Sequence, residues 1–268
     1  MKKITFTILM LCIYLLCLSA CSKNDPYSNL KNAEIVCLSV NQNYPQLATP
    51  PDYPLFDAMS TTLEALGLQV VAGDDTCDVY VDIELTIFAK SASYSHYASA
   101  GYSECFTGSR YEAIVHIDDI EKEFSHNFPT IRGTINHCPP ISAAAFSKTA
   151  YHAIANILKS LWQDSHPNII EVGLSHKDWE MRAAMASSLR VQNGPLLFVH
   201  LMKEENYDVR RAMSISLGDM YSDFDIDEFD IFLCNHLDWF EDQVFLEWFD
   251  DIRPGMSENI QEECNKME

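Results

Sequence analysis

The chain has 268 residues, 47% hydrophobic and 21% charged, which is apolar content enough for one large or two modest cores and excludes wholesale disorder. Its formal charge is −21. A surface of that sign repels phosphate backbones, so nucleic acid is excluded as a partner, and anionic headgroups are disfavoured as electrostatic ones.

Lys2 and Lys3 precede an apolar run from Ile4 to Leu18, and the run ends in Leu18-Ser19-Ala20-Cys21. A basic start, a short apolar core and small residues before a cut site have the physical form of a secretory signal over residues 1–20. The run is too short to favour a permanent span. Leu-Ser-Ala-Cys resembles the lipobox of bacterial lipoproteins. The resemblance implies that Cys21 is acylated, palmitate included, and becomes the first residue of the mature protein. Ser22 in the next position implies the outer membrane, with the protein facing the periplasm. Several acyl chains anchor durably, at about 0.8 kcal/mol per buried CH₂. Residues 21–33, polar around Lys23-Asn24-Asp25-Pro26, read as a tether.

Of nine cysteines, Cys12 and Cys17 fall in the signal and Cys21 carries the lipid. Cys37, Cys77, Cys105, Cys138, Cys234 and Cys264 remain, an even number that suggests disulfides in an exported chain, with about fifteen connectivities open. Proximity in the architecture below favours Cys37 with Cys77, Cys105 with Cys138, and Cys234 with Cys264. No C-x-x-C occurs, which removes the commonest redox and zinc spacing.

Residues 34–165 read as an α+β domain, an antiparallel sheet packed with helices. Glu34 to Val40 suits a first strand, and the prolines at 45, 50 and 51 mark a loop. Pro54 opens a helix whose stripe is Leu55, Met59, Leu63 and Leu66, and Gly67 is placed to end it. Leu68 to Ala72 forms a short strand. From Asp78 to Phe88, Val79, Val81, Ile83, Leu85 and Ile87 alternate with polar residues, and Tyr111, Ala113, Val115 and Ile117 repeat the pattern. Period two over such lengths means a strand with one buried and one wet face. Phe128 to Ile135 offers another strand, and Ser142 to Trp162 a helix faced by Phe146, Ala150, Ile154, Ile157, Leu158 and Leu161.

His166-Pro167 breaks that helix, and residues 166–268 read as all-helical. Gly173 to Met185 is echoed 28 residues later: Glu180 falls on Asp208, Met181 on Val209, Arg182 on Arg210, Ala184 on Ala212 and Leu189 on Leu217. The pattern, acidic-apolar-Arg-x-Ala with Leu following, resembles the second helix of HEAT-type repeats over about 60 residues. It implies a short solenoid that binds proteins. Two repeats need neighbours to bury their faces. The helix ending at Trp162 caps one end, and Ile231 to Phe249, inside an acidic terminal stretch, serves as a degenerate cap at the other. The stretch from Asp219 to Glu268 holds sixteen acids against Arg253 and Lys266 and reads as a solvated surface.

Arg182 and Arg210 sit at the repeat's own position and are read as structural. The exposed, non-repeating Trp179, Tyr207 and Arg211 are the candidate partner face. Tyr94, Tyr97 and Tyr102 lie in the serine- and glycine-rich segment from Ser91 to Gly108, either a binding loop or a hairpin extended into solvent. Asp82, Glu84, Glu112 and His116 share the outward face of the strands, where solvation is the simpler account than a metal or acid–base site. His152 lies off the apolar stripe of its helix. Asp223 to Asp227 begins like a calcium loop, but Glu228 replaces the needed Gly. With no hydrolase, phosphate-loop, zinc or dinucleotide motif present, the expectation is an envelope-anchored, non-enzymatic protein-binding or scaffold module without cofactor or metal. The alternatives are a periplasmic enzyme or metal-binding protein with its site on the α+β domain, and a purely structural envelope component.

Overall fold

The computed structural model describes residues 27–47, 50–73, 76–90, 95–97, 102–128, 131–134 and 143–222. Helix α1 (Ser28–Asn32) leads into β1 (Ile35–Asn43), α2 (Leu55–Ala65), β2 (Gln69–Ala72) and β3 (Val79–Lys90). Strands β4 (Ser95–Tyr97), β5 (Tyr102–Ile117), β6 (Ile120–Asn127) and β7 (Ile131–Thr134) follow, then helix α3 (Ala143–Trp162). The main sheet runs β2-β1-β3-β5-β6. The N-terminal part of β5 outruns β3 and pairs with β4 on one side and β7 on the other. The segment around Tyr97 and Tyr102 is therefore a hairpin, with those two residues opposite each other.

The expected antiparallel sheet is instead mixed. β2 and β3 both run parallel to β1, while β5 and β6 are antiparallel additions. Alternation reports which face of a strand is buried and is silent on its direction. Direction comes from the connections: α2 carries the chain back across the sheet between β1 and β2, which makes them parallel. Residues 73–78 then lead from β2 to β3 on the other side of β1. Gly73 starts that connection at φ +91, a conformation open to glycine and strained for other residues.

Two devices hold the connection down. Val36 and Leu38 of β1 join the core, so Cys37 between them faces the opposite side, where it forms a disulfide with Cys77. Next to it, the Asp78 carboxylate accepts hydrogen bonds from the backbone N–H groups of Glu34 and Ile35, at 2.9 Å each. Those bonds hold its carboxyl below the usual carboxylate range. The β5–β6 hairpin has only Asp118 and Asp119 at its tip, with Asp118 at φ 50, the hand that two-residue turns require.

The inner sheet face, Val79, Val81, Ile83, Leu85 and Ile87 beside Tyr111, Ala113, Val115 and Ile117, is buried under α2 and α3. Leu30 of α1, within the stretch read as a tether, is also fully buried. Beyond α3 come α4 (Ile169–Leu174), α5 (Trp179–Ser187), a short 3₁₀ turn (Val191–Asn193), α6 (Gly194–Leu201) and α7 (Tyr207–Ser222). α4 with α5 and α6 with α7 form two helical hairpins, and α3, α5 and α7 pack successively side by side. The buried residues form one cluster from Leu30 to Met220, so the apolar interior continues through α3 without a break.

Because Cys37 and Cys77 are 40 residues apart, their cross-link restricts the unfolded chain. Loop-closure entropy puts its contribution at about 3–4 kcal/mol. Replacing both cysteines by alanine should lower the urea midpoint by that equivalent, and adding reductant to the native protein should reproduce the drop.

Candidate functional site

The turn before α5 and the turn before α7 are built alike. Asp178 caps α5, its carboxylate accepting from the Glu180 N–H at 2.9 Å. Asn206, 28 residues on, accepts from the N–H groups of Asp208 at 2.9 Å and Val209 at 3.2 Å. Two residues earlier in each turn a side chain takes the cap's own N–H: His176 Nδ1 from Asp178 at 3.0 Å, and Glu204 from Asn206 at 2.9 Å. These bonds satisfy amides that a helix start leaves without partners.

Arg182 joins the two turns. Its Nε and Nη2 donate to the two oxygens of Glu204 at 2.7 and 2.9 Å, and its Nη1 donates to the His176 carbonyl at 2.8 Å. Burial works against the charge on Glu204, but the Arg182 bonds and the amides of Asn206 and Glu205 together hold its carboxyl below the usual range. A bidentate pair of this kind fixes orientation as well as distance. Helix α3 holds α5 from the other side: the Tyr151 hydroxyl donates to Asp178 at 2.7 Å, and the Ser147 hydroxyl donates to Glu180. Burial and the two carboxylates push the Tyr151 phenol up, so it stays a proton donor.

Against this braced frame Trp179 and Tyr207 open the two equivalent helices, 42% and 60% exposed. Arg211 and Ile215 follow Tyr207 one and two turns along α7, Arg211 exposed and Ile215 at 52%. On α5 the matching positions are Ala183 and Ser187. The result is two adjacent rows of outward side chains, roughly 8–10 Å apart at the usual spacing of packed helices. Trp179, Tyr207 and Ile215 are the exposed large hydrophobics among the described residues, and all three lie on this face. Arg210, at the repeat position of Arg182, is half-buried on the neighbouring flank. Cys105 stands opposite Gly133 in the β5–β7 ladder. Cys21, Tyr94, Cys138, Cys234, Cys264, the Asp223–Asp227 stretch and the cap at Ile231–Phe249 lie outside the described residues.

Asp82, Glu84, Glu112 and His116 do share the outer sheet face, with Asp82 opposite His116 in the register. Asn41 donates to Asp82 at 3.2 Å, and His116 lies 3.9 Å from Glu121. Glu84 and Glu112 stand in solvent. Among the described residues no three His, Cys, Asp or Glu side chains are grouped to hold a metal.

His152 corrects the sequence reading. It is buried, because α3 is covered on both sides, and its ring stacks on His126 of β6 at 4.8 Å with Phe128 edge-on at 5.0 Å. Its Nδ1 has no hydrogen-bond partner among the described residues. Burial first, then the positive fields of His126, Lys159 and Lys148, push its pKa down to about 3, with the Ser187 carbonyl opposing. The signal in the sequence was the run Tyr151-His152-Ala153, which carries bulk outside the apolar stripe. Lys159 donates to the Ser188 carbonyl at the end of α5, and burial with Arg190 nearby lowers its pKa to about 8.

Two outcomes follow from this geometry. Arg182→Ala should cost about 2–3 kcal/mol by urea unfolding, since it leaves Glu204 charged and partly buried. Arg182→Ala with Glu204→Ala should cost less than the two single changes added together. His152 is neutral when folded and titrates near 6.5 when unfolded, so its contribution is complete above about pH 6.5 and is lost as pH falls toward 3. Between pH 7 and 4.5 the native protein should therefore lose about 2–3 kcal/mol more than His152→Leu does, read from urea midpoints at the two pH values.

No family model matches the chain, and no curated protein matches it. Among solved structures, one match is the crystal structure of a neuraminyllactose-binding hemagglutinin homolog from Helicobacter pylori. The two are 16% identical, the match covers 53% of this chain and 91% of the other, and the TM-score is 0.36.

Proposed function

We propose that this is a lipoprotein, anchored through Cys21 at the periplasmic side of the outer membrane, whose HEAT-like helical half binds a protein partner without catalysis. The observation that carries the reading is the clustering of exposed Trp179, Tyr207 and Ile215, with Arg211, on one face of two helices joined by Arg182 and Glu204. Tryptophan, tyrosine and arginine are the side chains that dominate interface energetics. Covering a large apolar side chain is worth about 1.5–3 kcal/mol. Each of these residues projects from a helix whose start is capped, so little backbone freedom is lost on binding. A lipid anchor raises the local concentration of any partner in the same membrane. The hydroxyl–carboxylate pairs Tyr151–Asp178 and Ser147–Glu180 brace α5 and leave those carboxylates committed to structure.

The test is cross-linking of the lipidated protein in intact cells, with affinity recovery, mass spectrometry and Cys21→Ala as the anchoring control. Trp179→Ala, Tyr207→Ala and Arg211→Ala should each reduce recovery of the same partner about tenfold, as interface anchors do, while leaving the melting temperature nearly unchanged. A partner recovered equally by all three variants would place binding elsewhere and overturn the reading.

A further inference from the structure

Helix α3 carries one basic line on an otherwise apolar surface. Lys148, His152 and Lys159 fall at the i, i+4 and i+11 positions, with Ala155 at i+7, so they share one side of the helix. Two other elements close on that side. β6 brings His126, whose ring stacks on His152 at 4.8 Å, and the end of α5 brings the Ser187 and Ser188 carbonyls. Arg190 follows directly. Every group that adds a field here is basic: His126, Lys148 and Lys159 act on His152, Arg190 acts on Lys159, and no carboxylate acts on either. Tyr111 of β5, its ring 6.1 Å from that of His152, stays un-ionised because burial raises its phenol. None of Lys148, Lys159 and Arg190 is in an ion pair among the described residues. Lys159 spends one bond on the neutral Ser188 carbonyl, while His126, Lys148 and Arg190 are exposed. At the centre lies His152, only 6% exposed, with an Nδ1 that meets no hydrogen-bond partner among the described residues. In a chain of net charge −21 this is a pocket of uncompensated base. Like charges gathered in this way repel one another, and an anion among them relieves that repulsion.

We propose that this junction of α3, β6 and the end of α5 binds a compact oxyanion, the phosphate or sulfate group of a small molecule, among Lys148, Lys159, Arg190 and the imidazoles of His126 and His152. The donors come from three elements, which suits a tetrahedral group with acceptor oxygens on several sides. A lone carboxylate is planar and is better matched by an arginine fork than by lysine point charges. The oxyanion also supplies the acceptor that His152 lacks. When it binds, each imidazole takes up a proton from solvent and donates its N–H to an oxygen. A bound anion raises the pKa of both rings, so binding strengthens as pH falls. The acidic remainder of the chain opposes an anion only weakly, because exposed charges are screened beyond about 8–10 Å at physiological salt. The site adjoins the end of α5, whereas Trp179 opens that helix at its start, so this inference and the partner reading can each fail alone.

Imidazole NMR on the full chain tests it, with sodium sulfate titrated against sodium chloride at equal ionic strength. Sulfate keeps its charge across the range used, so any pH dependence belongs to the protein. The His126 and His152 resonances should move saturably with sulfate and not with chloride, and the affinity should be about tenfold higher at about pH 5.5 than at about pH 7.5. Lys148→Ala and Arg190→Ala, both at exposed positions, should each weaken binding about tenfold, as loss of a charge-assisted hydrogen bond does, and Arg211→Ala should leave it unchanged. Inorganic phosphate should displace sulfate, and acetate should not. The absence of a saturable shift at either pH would overturn the proposal. So would equal shifts with chloride, full affinity in Lys148→Ala or Arg190→Ala, or displacement by acetate as readily as by phosphate.

Discussion

Helix α3 has almost no face that tolerates water, and the arrangement of everything else follows from that. Phe146, Ala150, Tyr151, Ala153, Ile154, Ala155, Ile157, Leu158, Leu161 and Trp162 are all buried, which takes in every side of the helix. A helix apolar all round must be covered all round. The sheet with α2 can cover one side, and the other requires α4 and α5. Its polar groups are matched on both sides. Thr149 meets Ser109 at 2.7 Å, and Asn156 donates to Tyr111 at 3.1 Å on the sheet side. Tyr151 and Lys159 reach the two ends of α5. These contacts lock both the rotation and the axial position of α5, because one holds its start and the other its finish.

Three of the four described helices beyond α3 are short: six residues in α4, nine in α5 and eight in α6, against sixteen in α7. Helices of this length are unstable in isolation, since nucleation is costly and few propagating bonds follow. Their persistence has to come from caps and neighbours. That explains why so much hydrogen bonding is concentrated in the turns before α5 and α7, and why one arginine spans both. The Arg182–Glu204 pair does more than join two surfaces. Glu204 also accepts the Asn206 N–H, so the guanidinium positions the residue that caps α7. Each second helix is thus started by the packing of the one before it, and the order passes from the sheet outward through α3, α5 and α7.

Much of this was legible in the residues alone. Alternation located β3 and the paired half of β5, the Leu55–Leu63 spacing and Gly67 located α2 and its end, and proximity in the expected architecture pointed to the Cys37–Cys77 bridge that forms. Three things were not legible, each for a physical reason. Strand direction was hidden because side-chain period is the same in parallel and antiparallel sheets. Strand β6 was hidden because an edge strand of Glu121, Glu123 and Ser125 on its outer side carries little apolar signal, and charge there is what blunts an edge. The acceptor of Arg182 was hidden because the recurrence marks equivalent positions, whereas Glu204 contacts Arg182 across two hairpins and its own equivalent is His176. A repeat shows what is shared, and here the joining contact pairs unlike positions.

An exposed stripe of tryptophan, tyrosine and isoleucine is an aggregation hazard on most surfaces. Here the hazard is opposed by charge. Two copies of a chain with net charge −21 repel one another before their apolar faces can meet. The same repulsion vanishes for a partner of low or opposite charge, which can approach the stripe and cover it. High negative charge and a localised apolar face are therefore not in conflict. Together they separate copies of this protein from the partners proposed for it, because self-association and hetero-association gain similarly from apolar burial and differ in the electrostatic work of approach. Long-range charge acts on that approach, while Trp179, Tyr207 and Ile215 act only at contact, so selection against like-charged surfaces comes before any side chain is buried.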